Sequence, residues 1–274
     1  MILVNGQPAQ CISPHDRGFN YGDGIFETIA VHGGEALCWS AHMARLRRGG
    51  TVLGIPVPDE SLLQAEVAGL IAGCRRAVLK VVLTRGIGGR GYAPPADPWP
   101  CRVLSVHAWP ESPAADPAAG VSLEICATLL STQRVLAGIK HLNRLEQVLA
   151  KQELNALGCS DGLMQDADGR IIEATSSNLF LVGGATLVTP LLDHCGIAGI
   201  VRGEILARAG GWGMETRVCE VREADLQTAD EMFLCNSIIG VRPVNRVRGR
   251  EFAAGPVAEL VSRRLADAKV IAPA

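Results

Sequence analysis

The order of apolar and polar positions predicts alternating strands and helices over the first hundred residues. Short apolar runs separated by Asn5-Gly6 and by Gly33-Gly34 predict two β-hairpins, because these dipeptides favour tight hairpin turns. Helical spacing follows Ser40 and Asp59, whose side chains commonly cap the first turn of a helix. The predicted elements are strands over 1–4, 9–12, 24–31 and 36–39, helices over 41–53 and 60–73, and strands over 77–84 and 102–108.

A Pro-rich segment over residues 110–120 interrupts this pattern and predicts an interdomain linker. We therefore expect a smaller N-terminal domain over 1–109 and a larger C-terminal domain over 121–274 that carries Lys140. Frequent hairpin signals favour antiparallel or mixed sheets, so the predicted fold class is α+β with two domains. In the second half the predicted strands are 121–129, 162–166, 170–173, 178–182, 215–220 and 230–235, and the predicted helices are 143–157, 199–209 and 256–268.

Composition and charge narrow the class of function. Of 274 residues, 48% are hydrophobic and 20% are charged, which is typical of a globular chain with a dry core. The 26 basic residues are balanced by 28 acidic ones, so no basic excess favours nucleic acid as a partner. Nine scattered cysteines without a C-x-x-C pair predict neither a metal site nor a disulfide framework. No apolar run has the length of a membrane span, and the first residues lack a signal-peptide pattern, so we expect a cytoplasmic protein.

Lysine is rare in this chain and therefore informative. Only Lys80, Lys140, Lys151 and Lys269 occur among the 26 basic residues, so arginine supplies almost every other positive charge. Lys140 precedes the predicted helix 143–157, where partial desolvation favours the neutral amine that a nucleophile or general base needs. The alternative interpretations are an ordinary surface lysine at position 140 and a surface or edge position on a strand for Lys80.

Two further features have both a chemical and a purely structural interpretation. Glu173 ends a predicted hairpin, where its carboxylate could pair with a protonated ring nitrogen or form an ordinary salt bridge. The segment 195–204 is a glycine-flanked loop that leads into a predicted helix. Free amides at the start of such a helix bind phosphate, although a simple turn would have the same pattern.

These segments together resemble the aminodeoxychorismate lyases, which belong to the fold-type IV, or branched-chain aminotransferase-like, pyridoxal-phosphate enzymes. The resemblance covers most of the chain and implies the two-domain architecture of the D-amino-acid aminotransferases. The segments that carry it, in order and spacing, are 16–27, 40–46, 85–92, 138–149, 173–180 and 230–243.

The resemblance implies a role for individual residues of a pyridoxal 5'-phosphate site. Lys140 would form the aldimine with the cofactor and move the proton, and Glu173 would pair with the pyridine nitrogen. The implied phosphate contacts are Arg45, the amides of Ile197 and Ala198, and the Ser237 hydroxyl, with Asn178 as a further cofactor-binding residue. No metal is expected.

The implied reaction converts 4-amino-4-deoxychorismate to 4-aminobenzoate and pyruvate, a step of folate biosynthesis. The substrate has two carboxylates, so cationic contacts are expected. Arg90 with Tyr92 is the first candidate, with His107 or Arg17 in support. The resemblance also implies a homodimer.

Two other functions remain open from the sequence. A D-amino-acid or branched-chain aminotransferase would share the fold, the lysine and the phosphate site. His141 with Arg144-Leu145-Glu146, and the segment 88–92, favour the lyase. The third possibility is a catalytically inactive fold-type IV binding protein.

Overall fold

A computed structural model describes residues 1–110, 120–252 and 255–273 of the chain. These residues form two compact units. The first holds Met1–Pro110 together with Ile139–Asn143, and the second holds the described residues of 111–138 and 144–274. Most of the linker predicted over 110–120 lies outside the described residues. The segment with Lys140, which we expected in the C-terminal domain, groups with the first unit.

The described residues of the first unit form one antiparallel sheet with helices. The elements are β1 (Ile2–Val4), β2 (Gln7–Pro8), α1 (Arg17–Tyr21), β3 (Gly24–His32), β4 (Glu35–Ala36), α2 (Trp39–Leu53), α3 (Glu60–Ile71), β5 (Arg76–Thr84) and β6 (Cys101–Ala108). The strand order is β2-β1-β6-β5-β3-β4, and neighbouring strands run antiparallel.

Period-two alternation explains why one face of this sheet is the core face. Ile25, Ile29 and Val31 of β3 lie on one face and pack with Leu79 of β5, whereas Phe26 and Thr28 on the other face are partly exposed. Leu46 of α2 joins the same cluster. Apolar side chains of α3 that are spaced one or two helical turns apart join it as well. The opposite face of β5 presents its even-numbered residues, which this core does not cover.

The predicted hairpins are confirmed, but their second strands are shorter and begin earlier than predicted. The two-residue turn at Asn5-Gly6 pairs Val4 directly with Gln7, so the strand cannot begin at residue 9. The turn at Gly33-Gly34 likewise pairs His32 with Glu35. Helix α2 therefore begins at Trp39, two residues before its predicted start.

The described residues of the second unit form a mixed sheet with helices. The elements are β7 (Val121–Ile125), α4 (Leu145–Ala156), β8 (Asp161–Gln165), β9 (Ile171–Ala174), β10 (Asn178–Gly183), β11 (Thr186–Pro190), α5 (Ile200–Arg208), β12 (Glu215–Cys219), α6 (Glu223–Leu226), β13 (Glu231–Asn236), β14 (Gly240–Val247), β15 (Arg250–Glu251) and α7 (Pro256–Asp267). The strand order is β12-β11-β10-β13-β14-β7-β8-β9, with β15 paired to β14. Parallel pairs join β11 to β12, β14 to β7 and β7 to β8.

The α+β class is confirmed, and three strands of the second sheet, β11, β14 and β15, were not predicted. The polar residues Arg242 and Asn245 break the apolar pattern of β14, yet this strand lies inside the sheet between β13 and β7. Its backbone pairing on both sides outweighs its weak strand pattern. Within the described part of the chain, no helix combines the length and apolar character needed to cross a membrane.

Candidate active site

The backbone of the Lys140 segment pairs with the first residues of β3. The amide of Phe26 donates to the carbonyl of Lys140 at 2.9 Å, and the amide of Leu142 donates to the carbonyl of Gly24 at 2.9 Å. A side chain at position 24 would prevent this approach, because a Cβ there would lie 2.7 Å from Leu142. The Lys140 amine lies 4.5 Å from the centre of the Phe26 ring. Pairing with β3 therefore fixes the backbone of Lys140 and places an aromatic ring against its amine.

A buried triad of Glu27, His42 and Arg45 lies in the same unit. The Glu27 side chain is only 1% exposed and accepts from Arg45 Nε at 2.8 Å and from Arg45 Nη2 at 2.5 Å. His42 Nδ1 lies 2.6 Å from Glu27 Oε2. The sequence motifs contained Glu27 and His42, but we predicted no role for either. A carboxylate on the core face of an apolar strand was the signal available.

The charges of this triad follow from its contacts. Burial alone would raise the pKa of Glu27, but hydrogen bonds and positive charge from Arg45 and His42 lower it overall. Burial lowers the pKa of His42, and the positive charges of Arg45 and Lys140 act in the same direction against the effect of Glu27. His42 is therefore neutral at pH 7, and its Nδ1–H donates to the Glu27 carboxylate.

Arg17 anchors the loop that carries Arg90 and Tyr92. The Arg17 guanidinium donates to Asp23 at 2.8 Å. It also donates to the carbonyls of three consecutive loop residues, Gly91, Tyr92 and Ala93. Arg17 is buried, whereas Arg90 is exposed and Tyr92 is 86% exposed.

We predicted that Arg17 supports substrate binding. Its contacts in the structure indicate a different role. Its donors already hold the loop, so it can position Arg90 and Tyr92. His107, the other supporting candidate, is exposed on β6, and its Nε2 lies 2.8 Å from the Ser105 hydroxyl.

In the second unit, Glu173 is a buried carboxylate at the end of β9. Its Oε2 accepts the amide of Ile197 at 2.9 Å. Burial lowers the pKa of Arg144 and of Arg202, and the negative charge of Glu173 opposes this effect at both. Glu173 thus supplies negative charge in a place from which water is largely excluded.

Asn178 holds the loop that leads into α5. Its Nδ2 donates to the Ile197 carbonyl at 2.9 Å, and its Oδ1 accepts the Gly199 amide at 3.0 Å. The Ala198 amide donates to the Gly138 carbonyl at 3.1 Å. A Cβ at position 199 would lie 2.1 Å from Asn178 Oδ1, so the contact requires glycine. Asn178 is a positioning residue for this loop.

The structure changes the predicted phosphate contact at this loop. The amides of Ile197 and Ala198, which we predicted to bind phosphate, donate instead to Glu173 and to Gly138. Helix α5 begins at Ile200, one residue later than predicted. The first amides of a helix have no partner within it, so Ile200 and Val201 present the amides suited to an anion.

Ser237 lies in the turn after β13. Asn178 of β10 pairs with Cys235 of β13, so the turn lies at the sheet edge where β10 begins. The Asn236 side chain accepts the amides of Ile238 and Ile239 at 2.8 Å and thereby fixes this turn. Asn178 and Ser237 are thus positioned at neighbouring strand ends, and Glu173 is linked to Asn178 through Ile197, whose backbone both side chains contact.

The family model for amino-transferase class IV matches residues 24–247, from the first residue of β3 to the last of β14. The chain belongs to this family. The match covers the residues predicted for the cofactor site, while Arg17 lies before it.

Relatives of two activities resemble the chain to different degrees. Aminodeoxychorismate lyase from Vibrio harveyi is 37% identical over 92% of this chain and 93% of its own length. The crystal structure of 4-amino-4-deoxychorismate lyase from Pseudomonas aeruginosa is 44% identical, with a TM-score of 0.92 over 97% of this chain and 98% of that chain. D-alanine aminotransferase from Bacillus licheniformis is 26% identical over 93% of this chain and 90% of its own length. The resemblance found in the sequence is confirmed.

Proposed function

We propose that this protein is a pyridoxal-phosphate-dependent lyase that converts 4-amino-4-deoxychorismate to 4-aminobenzoate and pyruvate, a step of folate biosynthesis. The observation that carries the proposal is the contrast between 37% and 44% identity to lyases and 26% identity to a D-alanine aminotransferase, all over nearly the whole chain. Pyridoxal phosphate, when bound, supplies an electron sink for the carbon that bears the substrate amine.

The donor groups of each unit fit this cofactor. In the first unit, Lys140 supplies the amine and Arg45 a guanidinium oriented by Glu27. In the second unit, Glu173 supplies a buried carboxylate for the pyridine nitrogen. The groups proposed to hold the phosphate are the Arg45 guanidinium, the α5 amides of Ile200 and Val201, and the Ser237 hydroxyl.

Lys140 performs the proton transfers in this proposal. Its neutral amine takes the proton from the carbon that bears the substrate amine. The bond between the neighbouring ring carbon and the enolpyruvyl oxygen then breaks, and the ring becomes aromatic. The Lys140 ammonium returns the proton to the methylene carbon of the departing enolpyruvate, which becomes pyruvate. Aromatisation makes the step strongly favourable.

Arg90 and Tyr92 are proposed to recognise a substrate carboxylate. Both are exposed on a loop whose backbone Arg17 holds through three consecutive carbonyls. A guanidinium can bind a carboxylate through two parallel hydrogen bonds, which gives geometric specificity as well as charge. His107 remains a secondary candidate.

The proposed assembly is a homodimer, and the proposed location is the cytoplasm. Large apolar side chains are exposed on α1 and on the loop after β5, including Phe19, Tyr92 and Trp99. Exposed aromatic groups of this size are typical of a protein interface. All nine cysteines are free thiols, which fits a reducing compartment.

The deciding experiment offers 4-amino-4-deoxychorismate to the purified protein loaded with pyridoxal phosphate. Formation of equal amounts of 4-aminobenzoate and pyruvate supports the proposal. Transfer of the amine from D-alanine to 2-oxoglutarate, with no 4-aminobenzoate, would favour an aminotransferase instead. Absence of both reactions would favour an inactive binding protein.

A further inference from the structure

We propose that Arg202 and Thr189 are positioning residues for the cofactor phosphate, because together they fix the start of α5 against the sheet. The inference deepens the proposed function and rests on it, since that function assigns the phosphate to the first amides of α5. Arg202 is the third residue of α5, and Thr189 is a fully buried residue of β11. We predicted no role for either residue from the sequence.

The Arg202 side chain joins α5 to β11 through two hydrogen bonds. Its Nε donates to the Thr189 hydroxyl at 3.1 Å, and its Nη2 donates to the Pro190 carbonyl at 2.9 Å. The donors of a guanidinium form a rigid planar fork, so two acceptors on consecutive residues fix its orientation as well as its position. Arg202 therefore holds the first turn of α5 at a set distance from β11.

The Thr189 hydroxyl extends this link to β10. Its Oγ1 donates to the Leu179 carbonyl at 2.8 Å. A carbonyl can only accept and a guanidinium can only donate, so the hydroxyl must accept from Arg202 and donate to Leu179. The backbone pairing of β10 with β11 ends at Leu181 and Val188, and this side chain continues the link between the two strands beyond that point.

The same stretch of β10 holds the loop before α5. Asn178 directly precedes Leu179 in this strand. Its side chain donates to the Ile197 carbonyl at 2.9 Å and accepts the Gly199 amide at 3.0 Å. Two consecutive residues of β10 thus fix the loop directly and the first turn of the helix through the two side chains described above. The amides that we propose for the phosphate lie between these two attachments, at the first two residues of α5.

The direction of these amides decides whether they can bind an anion. An N–H group binds well only when its donor–acceptor distance is about 2.7–3.2 Å and the bond is nearly straight. Thr189→Val keeps the shape of the side chain but removes the hydroxyl. Arg202 Nε and the Leu179 carbonyl then lose this partner at a position that is 0% exposed. We therefore expect the first turn of α5 to move and the phosphate to be held less tightly.

The test compares two aldehydes that differ only in the phosphate. Equilibrium dialysis of the loaded protein gives the dissociation constants of pyridoxal 5'-phosphate and of pyridoxal, which keeps the ring and the aldehyde. Thr189→Val should raise the constant for pyridoxal 5'-phosphate by roughly tenfold and change that for pyridoxal by less than about twofold. Thr189→Ser, which restores the hydroxyl, should bind pyridoxal 5'-phosphate within about twofold of the wild type.

Two further variants separate this link from general charge and from misfolding. Arg202→Lys keeps the positive charge but not the planar fork, so it should also weaken the binding of pyridoxal 5'-phosphate and leave that of pyridoxal unchanged. Thr186→Val removes a hydroxyl at the other end of β11 and should bind both aldehydes as the wild type does.

The inference is wrong if Thr189→Val and Arg202→Lys bind pyridoxal 5'-phosphate like the wild type, or if they lose both aldehydes equally. It is also wrong if Thr189→Ser binds as weakly as Thr189→Val. None of these measurements uses the lyase reaction, so each leaves the proposed function standing. That function is overturned by a wild type that forms no 4-aminobenzoate, whatever the two dissociation constants.

Discussion

At the scale of residues, the buried carboxylate Glu27 orients Arg45, which we propose to hold the cofactor phosphate. Glu27 lies on the core face of β3 between Ile25 and Ile29, where an unpaired charge would be strongly destabilising. Arg45 and His42 provide its partners, and Arg45 is thereby held in one orientation. A buried pair of this kind is sensitive to the loss of either member.

His42 should make stability depend on pH. Its pKa is lowered in the folded state, so below about pH 6.5 the unfolded chain binds a proton that the folded chain does not. The stabilising contribution is present above that pH and is lost on acidification, by at most about 1.4 kcal/mol per pH unit. The free energy of unfolding, measured with urea from about pH 7.5 to about pH 5.5, should therefore fall more steeply for the wild type than for His42→Asn.

The exposed His15 provides the control for this titration, because His15→Asn should keep the wild-type pH dependence. Equal pH slopes for His42→Asn and the wild type would show that His42 does not titrate as its burial requires.

We expect kcat to depend on the negative charge of Glu173 more than on its hydrogen bond. Glu173→Gln can still accept the Ile197 amide, so the loop before α5 should keep its geometry and the cofactor should still bind. Loss of the negative charge should lower kcat by roughly a hundredfold, because the ring nitrogen would no longer be kept protonated. Steady-state kinetics with cofactor saturation measured in parallel checks this.

Glu153→Gln is the matched control for Glu173. Glu153 also accepts backbone amides, from Ala127 and Thr128, but lies outside the site. The kcat of Glu153→Gln should equal that of the wild type. A kcat for Glu173→Gln equal to that of Glu153→Gln would contradict the assigned role.

At the scale of elements, the start of α5 is the most demanding piece of local structure. Gly199→Ala should push the Asn178 side chain from its position, since the added Cβ would lie 2.1 Å from Asn178 Oδ1. We expect a loss of about 2 kcal/mol in the free energy of unfolding and weaker cofactor binding. Gly203, within α5, has open space around its Cβ position, so Gly203→Ala should stabilise the protein by about 0.5–1 kcal/mol. Thermal unfolding and cofactor titration of both variants measure these effects. Equal changes in stability and cofactor affinity for Gly199→Ala and Gly203→Ala would contradict the prediction.

Periodicity predicted most elements near this site, but it could not assign hydrogen bonds. The strand ending near Glu173 and the helix after residue 199 were both predicted to within two residues. We nevertheless predicted that the amides of Ile197 and Ala198 bind phosphate. The sequence does not show that these amides donate to Glu173 and Gly138 instead. β14 was missed for a related reason, since one of its two neighbours, β7, comes from a distant part of the chain.

At the scale of the whole molecule, the sequence motifs predicted the family more reliably than the hydrophobic pattern predicted which residues belong to each unit. Six segments in order were enough to indicate the class that the family match then confirmed. Pattern alone placed Lys140 with the C-terminal half, whereas residues Ile139–Asn143 pair with β3 and group with the first unit. Such long-range pairing leaves no periodic signal in five residues.

The assembly is the whole-molecule prediction. Sedimentation equilibrium should give a mass of about twice the chain's 28.9 kDa. Trp99 is an aromatic residue of the first unit that is 82% exposed, so Trp99→Glu places a charge on that surface and should shift the protein toward monomer. A wild type that sediments as a monomer would contradict the proposed homodimer.

The most direct measurement is to find which lysine becomes bonded to pyridoxal phosphate. The loaded protein is treated with borohydride, which makes the bond permanent, and the digested peptides are analysed by mass spectrometry. With only four lysines in the chain, the assignment is unambiguous. The account predicts the label on Lys140 alone and its complete loss in Lys140→Ala. A label on Lys80, Lys151 or Lys269, or a labelled Lys140→Ala protein, would contradict it.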